Sequence, residues 1–128
     1  MERARRDPVI RTAPQMADLN LNGHIFGGWL LSQMDIAGGI TASERASGPV
    51  ATVAVEAMKF HRPVHIGDLV SCYCGIEKVG RTSIHVHIEV CAMRRGLDRE
   101  VTVTEGTFVF VAVDEEGRPR LVEQRSDS

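Results

Sequence analysis

From Gly27 to about Arg45 apolar positions fall on nearly every side of a 3.6-residue turn, and a single acid, Asp35, interrupts the stretch Gly27 to Ile40. That pattern predicts a long helix buried all round and ended by Ser47-Gly48-Pro49. After Pro49 the period falls to two. Val50 to Phe60 alternates Val53, Val55 and Ala57 against Thr52, Ala54 and Glu56. Pro63 and Gly67-Asp68 punctuate it, and Leu69 to Lys78 follows. Past a turn at Gly80-Arg81, Ile84, Val86, Ile88 and Val90 point one way, while His85, His87, Glu89 and Cys91 point the other. Arg94 to Asp98 turns the chain into a last long strand, Glu100 to Val113. Ahead of the helix, Val9 to Thr12 reads as a short strand and Ala13 to Gly23 as a polar loop.

One long helix followed by four long strands at meander spacing is an α+β pattern. A sheet of long antiparallel strands needs cover on one face, and only one helix is available to supply it. An antiparallel sheet wrapped around one long central helix is the hotdog fold. Strand edges left open invite pairing with a second copy, so a dimer is the minimal unit expected.

Composition narrows the setting. A chain of 128 residues makes one domain, expected over residues 8–122, with flexible termini at 1–7 and 123–128. The net charge of −2 gives no pull toward nucleic acid or an anionic membrane. Thirteen of the 15 basic residues are arginines, scattered and mainly a solvated surface. Cys72, Cys74 and Cys91 are odd in number and lie within strands, as buried free thiols in a reducing compartment would. No run is apolar and long enough to span a bilayer, and residues 1–10 hold no hydrophobic signal core, so a cytoplasmic protein is expected.

Asp35 is the candidate reagent. An ionised carboxylate is costly on an apolar helix unless it is paired or hydrated. It reads either as a satisfied structural acid or as a general base or nucleophile toward a carbonyl. At the start of the same helix, His24-Ile25-Phe26-Gly27-Gly28 places two glycines where backbone amides have no helical partner and carry the positive end of the dipole. A carbonyl gaining negative charge would fit there, and so would plain close packing of helix on sheet. The turn Gly80-Arg81-Thr82-Ser83 offers charge, hydroxyls and amides to a phosphate, or is an ordinary hairpin. His61-Arg62, near Lys59, is a second anion contact or an exposed strand end. His85 and His87 share a strand face, but no third ligand has convincing spacing, and no metal is expected. His65 reads as a solvated turn residue, and Trp29 and Tyr73 as packing residues.

Taken together, Asn22-Gly23-His24-Ile25-Phe26-Gly27-Gly28-Trp29, Ser32-Gln33-Met34-Asp35, Val53 to Phe60, Pro63, Gly67-Asp68, Val79 to Ser83 and Phe108 to Asp114 resemble the hotdog acyl-CoA thioesterases of the YciA type. The cytosolic long-chain acyl-CoA hydrolases share the layout. The resemblance covers roughly residues 8–122. It implies hydrolysis of acyl-CoA to a carboxylic acid and CoA, with no cofactor beyond the CoA of the substrate. Asp35 would be general base or nucleophile, the Gly28 amide would polarise the thioester carbonyl, and His24 would assist. The resemblance places the nucleotide end of CoA near Gly80, Arg81, Thr82 and Ser83; the phosphate role of Arg81 is read from its charge and place, and Asn22, Phe26, Gly27, Phe60 and Arg62 are further candidates to line the substrate. It also implies a site shared between two subunits and a trimer of hotdog dimers. One departure stands out: relatives more often carry Asp or Asn where this chain has His24, and a histidine can also change charge near neutral pH. Two other readings are a dehydratase or hydratase pairing His24 with Asp35 on a thioester-bound acyl chain, and a non-catalytic acyl-CoA-binding protein.

Overall fold

The computed structural model describes residues 6–94, 96 and 98–124. A short strand β1 (Ile10–Thr12) and a 3-10 turn (Met16–Asp18) precede helix α1 (Gly27–Ala46). Strands β2 (Val50–Phe60), β3 (Leu69–Val79), β4 (Ser83–Met93) and β5 (Val101–Ala112) complete it. They form one antiparallel sheet in the order β1-β3-β4-β5-β2. The strands are not a simple meander: β2 pairs with β5, so the β2–β3 connection crosses to the far side of the sheet. Strand β2 is therefore an edge.

The helix ends as expected. Ser47 takes the left-handed conformation at φ 55°, and its amide and that of Gly48 return to the carbonyls of the last turn. The inner face of α1 carries Leu30, Met34, Ala37, Gly38 and Ala42, all buried against the sheet. On the sheet side Ile84, Val86, Ile88 and Val90 are fully buried, joined by Phe108 and Phe110. Helix and sheet meet closely at Gly38, where an added Cβ would sit 2.7 Å from Ile88 Cδ1 and 2.9 Å from Phe110 Cζ.

Two expectations from patterning need correction. The helix is not buried all round: Ser32, Asp35, Ile36 and Ile40 lie on an open outer face, with Ile36 53% exposed. One helix on one sheet covers only one of its own sides. On β2 the expected strict alternation fails: Val53 and Val55 are 59% and 45% exposed, while Val50, Ala54 and Met58 are half-buried. Register shifts after Thr52 and after Glu56, with Ala57 at φ 52°, break the alternation there.

The three thiols are free, Cys72 and Cys91 buried and Cys74 half-buried. Burial pushes the Cys72 thiol up to about 12, and burial likewise raises Cys74 and Cys91. The termini expected to be flexible fall largely outside the described residues. Their described parts are held: Arg6 pairs with Glu89 at 2.7 Å and lies 3.9 Å from the centre of the Tyr73 ring. Among the described residues no helix is long and apolar enough to cross a membrane.

Candidate active site

Asp35 reaches solvent on the open face of α1. Its Oδ1 accepts a hydrogen bond from Thr52 Oγ1 of β2 at 2.5 Å. Among the described residues it accepts no other, so Oδ2 is unengaged by them. The hydroxyl fixes the carboxylate without neutralising it, which suits an acceptor of a proton from water. Patterning pointed to Asp35 but gave no sign of Thr52. The pair exists only because the edge strand passes beside this part of the helix.

The helix start is built by the loop ahead of it. Asn20 Oδ1 receives the amides of Asn22 and His24 at 2.9 and 3.1 Å, and the Asn20 amide donates to the His24 carbonyl at 2.7 Å. Phe26, in extended conformation, caps the helix without a side-chain bond. Gly27 lies against Phe60, whose Cε1 would be 3.5 Å from an added Cβ, and an added Cβ on Gly28 would sit 3.2 Å from the Phe26 ring. Gly28 is exposed. As the second residue of the helix, it has an amide with no carbonyl four residues back inside the helix to receive it. His24 is half-buried, its ring edge-on to that of His65, with centroids 5.0 Å apart and planes at 85°. His65, read from sequence as a solvated turn residue, thus belongs to this neighbourhood.

Gly28 and Asp35 are seven residues apart, on nearly the same side of α1 but about 10 Å apart along its axis. Strand register places the third group. Ser83 and Ala51 both pair with Val111, so the Gly80–Ser83 turn lies at the same end of the sheet as Thr52. Phe60, beside the helix start, lies at the other end of β2. The turn is tight: the Gly80 amide donates to the Ser83 carbonyl at 2.8 Å, and an added Cβ on Gly80 would meet Ser83 Oγ at 2.6 Å. The C-terminal segment crosses it, with the Val122 amide on the Arg81 carbonyl at 2.7 Å and Gln124 Nε2 on the Gly80 carbonyl at 3.1 Å. A cleft of about 510 Å³ opens there, lined by Val79, Gly80, Arg81, Leu121, Val122 and Gln124. The Arg81 guanidinium has no ion pair among the described residues.

Arg62 lies apart from these groups. It donates to the Thr102 carbonyl at 3.2 Å and borders a second cleft with His61, Glu89 and Glu105. His61 Nε2 is 2.9 Å from Glu105 Oε2, and His87 Nε2 is 3.5 Å from its Oε1. Two carboxylates beside Arg62 make that cleft a poorer anion site than the Gly80 turn.

A single helix laid across an antiparallel sheet, with an open-faced carboxylate and a glycine start, defines a hotdog domain. Comparison with known proteins gives the family. Residues 22–99 match the thioesterase superfamily. The acyl-CoA thioester hydrolase YciA of Escherichia coli strain K12 is 50% identical over 119 residues, covering 91% of this chain and 90% of the relative. Among solved structures, a hexameric thioesterase from Yersinia pestis superposes with a TM-score of 0.87 at 46% identity, covering 93% of this chain and 97% of that one. A hexameric hotdog fold thioesterase of Campylobacter jejuni superposes at 0.88 with 37% identity, covering 92% and 91%. The chain belongs to the thioesterase superfamily and falls among its YciA-type members.

Proposed function

We propose that the protein hydrolyses acyl-CoA thioesters to a carboxylic acid and CoA, at sites formed between two copies of the chain. The observation that carries this reading is Asp35: a carboxylate on an open helix face, held through one oxygen by Thr52 and free at the other. The 50% identity with a YciA hydrolase over nearly the whole chain supports the substrate class.

In the reaction Asp35 takes a proton from water as the water oxygen attacks the thioester carbonyl; alternatively its own oxygen attacks first, and water then opens the anhydride. The carbonyl oxygen, gaining charge, is received by the Gly28 amide at the positive end of a helix. The C–S bond breaks, and on the general-base route the sulfur of CoA takes the proton that Asp35 drew from water; on the anhydride route it leaves as a thiolate, and the proton comes from the water that later opens the anhydride. Neither a metal nor an organic cofactor is needed for these steps. Within one chain Gly28 and Asp35 are too far apart to serve one carbonyl. The helix start of a partner meeting the open face of α1 brings them together, and a trimer of such dimers accords with the hexameric relatives. Asn22, His24, Phe26, Gly27 and Phe60 surround the acyl end, and Gly80, Arg81, Thr82 and Ser83 hold the phosphates of CoA, with Arg62 a secondary contact. A cytoplasmic setting fits the three free thiols.

The test is a free-thiol assay over acyl-CoAs of increasing chain length. Thiol release from at least one of them is expected, and no release from any sinks the reading.

A further inference from the structure

We infer that His65 is a positioning residue that orients the His24 imidazole beside the helix start. The inference rests on the reading above, in which that helix start receives the thioester carbonyl. Two loops meet here, one leading into α1 and one joining β2 to β3. They are stitched by the Ile25 amide donating to the Val64 carbonyl at 3.0 Å, between two buried residues. The next residue outward on each loop is a histidine, and the two rings meet edge to face at 5.0 Å.

Both backbones are fixed independently of the rings. On the His24 side, the Asn20 side chain and amide clamp the loop. On the other, the His65 amide donates to Asp68 Oδ2 at 2.9 Å. Asp68 is itself buried and receives Arg94 Nε at 3.3 Å, while Arg94 Nη2 donates to the Pro63 carbonyl at 2.8 Å. What remains free is side-chain rotation, and among the described residues no ring nitrogen of His24 or His65 is hydrogen-bonded. The ring-on-ring contact therefore selects the His24 rotamer, since edge-to-face packing favours one relative orientation. It does so without occupying a nitrogen, which leaves an imidazole N–H of His24 available to the substrate carbonyl alongside the Gly28 amide.

The experiment compares His65→Ala, His65→Phe, His24→Ala and the double alanine variant in steady-state hydrolysis, with His24 ring resonances recorded by NMR. His65→Ala is expected to lower kcat about tenfold with KM within about twofold, because misorientation costs transition-state contacts and not docking. His65→Phe, which keeps an aromatic edge, should restore most of the rate. The double variant should be no slower than His24→Ala alone, because the two residues act as one unit. The His24 Hε1 resonance should shift in His65→Ala through loss of the ring current. A wild-type kcat in His65→Ala, an added loss on top of His24→Ala, or a rise in KM alone would each overturn the inference. If the wild-type protein releases no thiol from any acyl-CoA, the hydrolase reading falls separately. NMR then decides this one, and an unmoved His24 resonance in His65→Ala overturns it.

Discussion

At the scale of single residues, Asp35 announces itself because it is the lone acid in an apolar stretch. Its setting was not legible. Whether a helical carboxylate is buried depends on which side the sheet covers, and that is decided by residues far along the chain. Asp35→Asn keeps the shape and the Thr52 contact but removes the proposed base, so hydrolysis is expected to fall by at least about 10²-fold. Unchanged circular dichroism alongside the lost thiol release would separate this from unfolding. Thr52→Val leaves the carboxylate unheld, and a fall in kcat of about tenfold is expected, corresponding to about one hydrogen bond. Cys72 illustrates a different effect. Its thiol holds its proton to about 12 in the folded chain and to 9.0 in the reference state. Between those values the folded state binds more protons than the unfolded one, so this residue lowers stability as pH rises through that window and does nothing at neutral pH. Alkylation of Cys72 at pH 8 should be slow in the native protein and fast in urea, as read by mass spectrometry.

At the scale of elements, the alternation in Ile84 to Val90 gave β4 its faces correctly, because a central strand buries one side and packing obeys the period. Strand β2 did not follow its alternation. An edge strand with two register shifts has no single period, and nothing local marks Ala57 as the residue that takes a positive φ. The helix is a similar case, since its apolar outer side is readable only as a surplus of hydrophobic residues over what one sheet can cover. Gly38 shows what the helix–sheet contact demands. Gly38→Val would drive its side chain into Ile88 and Phe110, and a loss of about 1–3 kcal/mol is expected, seen as a lower melting temperature. Gly39→Ala should be far milder, since there the nearest atom of Phe110 would be 3.8 Å from the new Cβ.

At the scale of the whole molecule, the open face of α1 and the open edge of β2 adjoin. Ile36, Ile40, Val53 and Val55 leave apolar side chains exposed there, a surface that a second copy could cover. Val53→Lys with Val55→Glu should yield smaller species in size-exclusion chromatography and lose activity with the assembly. The spacing of Gly28 and Asp35 along one helix then has a genetic consequence. Gly28→Pro removes the amide while suiting the first helical turn, and Asp35→Asn removes the carboxylate. Each variant alone is expected to be inactive. Unfolded together in equal amounts and refolded, they would form hybrids in which, with the site shared between copies as proposed, one site carries both lesions and the other carries neither. Two dead proteins would thus recover about a quarter of the wild-type rate.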